Sequence, residues 1–577
     1  MELLHGKQNR KRAYKFALLG ISSITIGILI FMLNPLQMIV DDKLSVHEGS
    51  FLFGLFQKPP LDVYISVYVF NITNLDRFLS GKDKKLRLDE VGPYVYQEFL
   101  ENRNATFHPN MTVSYRPKRR VKFIREKSCG DPKEDIVTVP NIPYMGVTSA
   151  ASKMGILTAL AVRALSRTAG SRVILNTTVE DYFWGHEEPL VTLASTFLPS
   201  VIDFQKFGLL DRMFAEGDNL VSMNLPGRKE LLERERQEEE ARLAEIKRKK
   251  AEESVSGRDE YINEVYQAFS YTEEYEEEKE VYRPVVRDYS IETWNHRKGM
   301  KFWGYSEDHP EKNTECNTLR GTYDGTLFPR NISKGEVFRV YRKAFCRTLP
   351  IVFSHSGSLN GIEAYFFKLS EDAFDNSLDN PKSSCYCTDK VCLKKGLGNM
   401  TPCYYNIPAA TSFPHFFNAD PSLVDAIDGL SPSEGKHGSS IVLQPQLGVP
   451  MRVQMRVQVN LLMGEVFANT EIRPFKNLVL PIIWVQLGVD NLTPGLQILL
   501  HLLFNICPYV QSGAIVVFIV AGISILATSA LICFCVPKPM KEVNPKLHKR
   551  YSAVYMFPYI GRELSKAGDE ESSPFRA

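Results

Sequence analysis

The 577-residue chain lacks the short motifs on which most catalytic sites are built. It has no G-x-S-x-G nucleophile elbow, no H-E-x-x-H zinc helix and no P-loop. "FSHSGS" at 353–358 puts serines beside His355, but a catalytic triad is a matter of spatial geometry and not of adjacency. "GHEEP" at 185–189 reads as a turn near a helix end. No enzymatic activity, metal or cofactor is therefore expected. The chain also lacks an excess of either charge: 69 Lys and Arg face 67 Asp and Glu, a net charge of +2 that argues against a nucleic-acid partner.

Two long stretches lack charge altogether. Residues 16–40, "FALLGISSITIGILIFMLNPLQMIV", and residues 513–536, "GAIVVFIVAGISILATSALICFCV", each exceed the roughly 20 residues a helix needs to cross a bilayer. The first is longer than the apolar region of about 7–15 residues in a signal peptide, and it runs into Asp41-Asp42 instead of a small-residue cleavage site. Both are expected to be transmembrane helices. Lys7, Arg10, Lys11, Arg12 and Lys15 precede the first, and Lys538, Lys541, Lys546, Lys549 and Arg550 follow the second. Basic flanks resist translocation, so the tails 1–15 and 537–577 are expected in the cytoplasm and residues 41–512 outside it.

Sequons test that placement separately. Asn71, Asn104, Asn110, Asn176, Asn331, Asn399 and Asn491 each begin an N-x-S/T triplet, and all lie between the two apolar runs. The middle segment reads as a glycosylated ectodomain. In such a compartment Cys316, Cys346, Cys385, Cys387, Cys392 and Cys403 are expected as disulfides and not as a zinc knot, although six cysteines leave many pairings open. Cys129 and Cys507 are either free or paired to each other. Cys533 and Cys535, at the end of the second run, are candidates for palmitoylation.

Within the ectodomain, "LDVYISVYVFNITN" and "MRVQMRVQVNLL" alternate apolar and polar residues at period two, as half-buried strands do. "VFRVY" (337–341) and "LVLPIIWVQLG" (478–488) are further strand candidates. Helix formers gather between 148 and 215, with Gly170 as a stop and Thr178 as an N-cap. "TPGLQILLHLLFNI" reads as a last helix with Thr493 as cap and Pro494 in its first turn, suited to the membrane interface. The class expected is α+β. Residues 228–288 stand apart: a charge-laced helix with i,i+4 pairs such as Glu230 with Arg234, then an acidic arm containing "YTEEYEEEKE".

A series of motifs resembles the class B scavenger receptors, the family of the fatty-acid translocase, the high-density-lipoprotein receptor, the lysosomal integral membrane protein and insect sensory neuron membrane proteins. They are "DVYISVYVFNITN", "EVGPYVYQE" (90–98), "VPNIP" (139–143), "DYFWGHEEP" (181–189), "FPRNISKGEVF" (328–338), "CYCTDKVC", "SFPHFFNADP" (412–421), "IDGLSPSE" (427–434), "MRVQVNLL" and "LPIIWVQLG". The resemblance implies an antiparallel β-barrel-like ectodomain with a membrane-distal helical bundle and an internal hydrophobic tunnel. It implies the pairs Cys316 with Cys385, Cys346 with Cys403, and Cys387 with Cys392, and ligand docking near Lys153, Arg163, Arg167 and Arg172. The function implied is binding of lipids or lipoprotein particles and lipid transfer to the membrane, or else trafficking of a lumenal or extracellular protein. A homo-oligomer is a further expected partner state. The location implied is the plasma membrane, or alternatively the endosome or lysosome membrane. The insertion at 228–288 departs from the family, as does the tail "DEESSPFRA", which lacks an acidic dileucine signal; "YSAV" at 551–554 remains as a tyrosine sorting signal.

Overall fold

A computed structural model describes residues 2–200, 202–214, 217–255 and 282–534. Cys535, the basic flank after the second apolar run, "YSAV" and most of the acidic arm lie outside the described residues. Contacts divide the chain into two units, residues 1–29 with 514–577, and residues 30–513.

In the first unit, helix α1 (Glu2–Leu33) meets the last helix through small residues. A Cβ on Gly20 would sit 2.9 Å from the carbonyl oxygen of Gly522, and one on Gly522 would sit 2.8 Å from that of Gly20. Ser23 Oγ donates to Phe518 O and Ser529 Oγ to Ala13 O, each at 2.7 Å. Backbones approach this closely only where side chains are absent, and the hydroxyls find carbonyls because lipid offers them no water. The segments Lys11–Leu33 and Pro494–Phe534 are long and apolar enough to cross a membrane, and only 11% of each apolar window is buried, unlike a core helix.

Both spans differ from the sequence expectation at their boundaries. The first apolar run is cut at Asn34, whose φ of 43° is left-handed and whose side chain accepts from Gln37 N–H to start a separate helix, Pro35–Lys43. Pro35 disfavours the α conformation at the residue before it and has no N–H to continue the ladder. The second run is part of a helix that begins at Pro494 and passes through a π-turn at Leu502–Ile506.

The second unit is built on one large sheet. Its main strands are β1 (Val63–Ile72), β2 (Leu86–His108), β3 (Thr112–Phe123), β4 (Val221–Asn224), β5 (Ile291–Trp294), β6 (Val337–Arg342), β7 (Arg347–Leu359), β8 (Ile362–Leu369), β9 (Ser440–Gln444), β10 (Val449–Leu462) and β11 (Val479–Val489). Their order is β6-β7-β8-β9-β10-β11-β1-β2-β3-β4-β5, and every neighbouring pair on this path is antiparallel. Segment 321–323 joins the two ends. Ile291 N–H donates to Thr322 O and Gly321 N–H to Ile291 O, while Tyr323 N–H donates to Arg339 O and Tyr341 N–H to Tyr323 O. The terminal strands β5 and β6 are thereby joined, while residues 116–123 of β3 extend beyond the pairing with β4 at 112–115.

Alternation decides what enters the interior. On β1, Ile65, Val67 and Val69 are buried, and on β10, Met451, Met455, Val457 and Val459 are buried. Gly92, in the "EVGPY" motif, sits at φ 153° where β1 shifts register between Val67 and Val69; a Cβ there would lie 2.8 Å from Val67 O. No other residue type fits that approach.

Helices cover part of the sheet. Helix α2 (Phe51–Gln57) precedes β1, and α3 (Ile142–Lys153), α4 (Ile156–Ala169) and α5 (Pro189–Phe197) pack together. The stretch from 148 to 170, continuous by composition, breaks at Gly155, whose φ is 114°, and ends at Gly170 with φ 81°. Thr178 caps its helix by accepting from Asp181 N–H. Glu188, from "GHEEP", accepts from the N–H groups of Leu190 and Val191 at the start of α5 and from Asn141 Nδ2 at the cap of α3, joining the two helix ends.

The charged insertion forms helix α6 (Arg228–Val255). Its ion pairs link Arg236 to Glu233 and Glu240, and Lys249 to Glu245, in place of the expected Glu230 with Arg234. Helix α7 (Pro494–His501) begins at Thr493, which makes no side-chain cap bond, and α8 (Cys507–Phe534) completes the described chain.

Candidate functional site

The sheet encloses an apolar cavity of about 450 Å³. Leu100 of β2, Val340 of β6, Leu349 of β7, Ile441 of β9, Val453 and Met455 of β10 and Leu487 and Val489 of β11 form its strand walls. Leu52, Leu55 and Phe56 of α2 and Leu496, Leu499 and Leu500 of α7 complete it. Leu496, Leu499 and Leu500 of α7 thus face this cavity, while Ile498 on the same helix is exposed. The alternating face of β10 divides: Val453 and Met455 reach the cavity, while Val457 and Val459 belong to the packed core.

One charged cluster is sealed into the wall. Glu98 of β2 lies 3.0 Å from Arg119 Nη1 and 3.8 Å from Arg342 Nη2. Burial by itself would raise its carboxyl pKa, but the two guanidiniums outweigh burial and hold it below the usual value. At the rim, Lys58, Arg103 and Arg120 stand with Glu101.

A second polar cluster lies under "EVGPY" and "SFPHFF". Glu90, His415 and His437 present ligand-type atoms within 4.8 Å of one another. The donor set does not fit a cation. Ser431 N–H donates to His415 Nδ1 at 3.1 Å and Ser433 N–H to His437 Nδ1 at 3.0 Å, which places each ring's proton on Nε2. His415 Nε2–H and Trp484 Nε1–H then both donate to Glu90, at 2.6 and 2.7 Å. The cluster is a hydrogen-bonded strut between β2, β11 and the 413–437 segment. The rings of His415 and His437 stack at 4.4 Å, and burial, followed by the His415 ring beside it, pushes His437 down to about 4; Arg456 and Lys436 act in the same direction and Glu90 against it.

The basic residues named from the sequence do not form one patch. Lys153 ends α3 and is exposed; Arg172 follows α4 and is exposed. Arg163 Nη1 donates to Ala468 O at 2.7 Å, and Arg167 lies 3.7 Å from Glu471, so both serve the 468–471 segment. What the sequence reading missed is the rest of α4. Its inner face buries Ala159 and Ser166, while Leu157, Leu160, Ala161, Ala164 and Leu165 point outward, beside exposed Met154 and Ile156. The 3.6-residue period was legible, but only the packing reveals that the apolar stripe faces solvent.

The structure joins Cys316 to Cys385, Cys346 to Cys403 and Cys387 to Cys392, with Cα atoms 6.1, 6.0 and 4.4 Å apart. The two longer bridges, 69 and 57 residues apart, close loops that in a chain-entropy account stabilise by about 4 kcal/mol each. Cys129, Cys507 and Cys533 are unpaired. Among the sequons, Asn104, Asn110, Asn176, Asn331 and Asn491 are exposed and Asn71 is half-buried. Asn399 departs from the expectation: it is 4% exposed, and its Nδ2 donates to Tyr386 O and Thr388 Oγ1. His355 is stacked on Phe366 with Ser354 Oγ 3.2 Å from its Nδ1, and no carboxylate is hydrogen-bonded to it among the described residues.

An antiparallel sheet around an apolar cavity, with three disulfides and, elsewhere in the chain, two membrane-length helices, defines a two-span membrane protein with a cavity-bearing body. Sequence comparison gives the family. The CD36 family model matches residues 17–533, and the chain belongs to that family. Among its relatives are scavenger receptor class B member 1 of Bos taurus, 26% identical over 487 residues (83% of this chain, 82% of the relative), and lysosome membrane protein 2 of Homo sapiens, 26% identical over 474 residues (82% and 84%).

Three outcomes are expected. Glu98→Ala removes the carboxylate that two guanidiniums share and costs about 3–5 kcal/mol at pH 7, read by denaturant unfolding. Because the folded pKa of Glu98 is the lower one, that difference is present above the unfolded value of 4.5 and fades as pH falls through the folded value. His437 likewise has a folded pKa below its unfolded 6.5, so the protein loses stability as pH falls from 6.5 towards 4, and His437→Gln flattens that limb of a melting-temperature profile. Asparagine-to-glutamine variants at 104, 110, 176, 331 and 491 each lose one glycan by gel shift, whereas Asn399→Gln leaves the glycosylation pattern unchanged.

Proposed function

We propose that this protein is a lipid receptor and transfer protein that takes an apolar lipid from a lipoprotein or micelle, holds it in the cavity and releases it to the membrane. The observation that carries this reading is the cavity of about 450 Å³, walled by leucine, valine and methionine side chains from strands and two helices. Burying hydrocarbon there is favourable by about 0.8 kcal/mol per CH₂, and a wall with few polar groups gives weak, distributed contacts suited to passage. In this reading the cavity is part of a tunnel, α3 to α5 are the membrane-distal bundle, residues between the spans form the glycosylated ectodomain and both tails are cytoplasmic. Lipid particles dock on the outward stripe of α4, with Lys153 and Arg172 beside it. Similarity to a scavenger receptor supports the plasma membrane, and similarity to a lysosome membrane protein supports the endosome or lysosome.

A second reading, a trafficking receptor for a lumenal protein, is favoured by the same α4 stripe, since an apolar helix face also suits a protein groove. The two separate experimentally. Lipid co-purifying with the full chain is identified by mass spectrometry, and transfer between liposomes is followed. Met455→Trp with Leu499→Trp, which fills the cavity, is expected to cut bound lipid and transfer by about tenfold or more while the melting temperature stays within a few degrees. Absence of bound lipid, or transfer unaffected by the double variant, overturns the transfer reading. A soluble protein lost on Leu157→Asp with lipid transfer intact supports the trafficking reading.

A further inference from the structure

Strand β3 carries "YRPKRRVKF", and alternation sends its cations in two directions. Arg119 turns inward to Glu98, whereas Lys118, Arg120 and Lys122 are exposed on the outer face, with half-buried Arg116 at the end of the same row. The register fixes what lies beside them on β2: Arg103 opposite Arg116, Glu101 opposite Lys118, Phe99 opposite Arg120 and Gln97 opposite Lys122. On β1, Tyr64 pairs with Gln97, and Lys127 Nζ sits 3.7 Å above the Tyr64 ring, so the row extends by one more cation.

The carboxylates on this face are already matched. Glu101 is held by Arg103 and Asp218 by Arg116, each at 2.7 Å, and Asp62 accepts from Gln97 at 3.1 Å. Lys118, Arg120 and Lys122 make no side-chain hydrogen bond or ion pair among the described residues. Arg103, Arg116, Lys118, Arg120, Lys122 and Lys127 give six cations against three carboxylates. Side chains on one face of a strand are about 7 Å apart, so Lys118, Arg120 and Lys122 form a straight row of about 14 Å.

We propose that this outer face of β2 and β3 binds a linear sulfated polysaccharide of the glycosaminoglycan type. A straight, divergent row of cations on a stiff strand matches charges repeated along a polymer. It does not converge on one small anion, as a phosphate cradle does. A bilayer or lipid particle is the poorer fit, because insertion needs a cluster of apolar side chains and Phe99, 45% exposed, is the one large apolar residue in this row. The charges also raise the encounter rate with a polyanion and make binding salt-dependent. Arg103 and Arg120 of this face also stand at the cavity rim, but the proposal does not rest on the lipid reading, and the cavity-filling double variant keeps it.

The test uses the full chain in nanodiscs of neutral phosphatidylcholine, applied to immobilised heparin. The chain is expected to be retained at about 0.15 M salt and released as salt rises. Lys118→Ser, Arg120→Ser and Lys122→Ser together should weaken binding about tenfold with an unchanged melting temperature, since each unpaired surface charge contributes a few tenths of a kcal/mol or more. Lys247→Ser, Arg248→Ser and Lys249→Ser on α6 remove the same charge elsewhere and should change affinity less than about twofold. Desulfated heparin should not be retained. The proposal fails if the β3 variant keeps its affinity, if the α6 variant loses as much, if desulfated heparin binds equally, or if phosphatidylserine vesicles bind this face and heparin does not.

Discussion

A β-sheet has two edges, and every N–H and C=O along them must find a partner or face water. In this protein both edges are met by the same short segment, 321–323, which accepts and donates to Ile291 on one side and to Arg339 and Tyr341 on the other. The sheet consequently encloses an interior instead of presenting two flat faces. Everything else follows from that closure: alternate residues of each strand become interior residues, and a region too wide for side chains to fill remains as a cavity.

The interior is not uniformly apolar, and its polar groups are structural where they are deepest. Glu98 with Arg119 and Arg342 ties β2 to β3 and β6, and nearer the surface the exposed Glu90 joins His415 and Trp484. The Glu98 cluster confers little net stability compared with a packed apolar core, but removing one of its partners is costly because the remaining charge stays buried. Around the Glu98 cluster the cavity wall is mostly apolar. Outside, α4 inverts the usual rule by burying alanine and serine and exposing leucine, which leaves an apolar stripe where a monomeric soluble protein would have a polar one.

The charged insertion shows how little a segment must share with the core to be accommodated. Helix α6 is held by its own i,i+3 and i,i+4 ion pairs, each worth a few tenths of a kcal/mol, and by its first turn, where Arg228 reaches Glu292 at 3.8 Å. Its length therefore does not disturb the closure of the sheet.

The sequence by itself determined whatever depends on local chemistry. The uncharged runs marked the spans, because hydrocarbon excludes charge; the alternation of β1 and β10 marked strands with one buried face; Gly170 and Thr178 marked helix ends. The motifs, taken together, marked the family. It placed the boundaries less well, since Pro35 inside an apolar run and the π-turn after α7 alter a helix without altering its hydropathy. The tertiary structure alone decided which face of a periodic helix points outward, which of four arginines and lysines is occupied by a backbone carbonyl, and that Asn399 is buried. It also decided that Glu90 meets His415 across 325 residues of chain. These are contacts between distant segments, fixed by the register of a closed sheet, and no local pattern in the sequence encodes them.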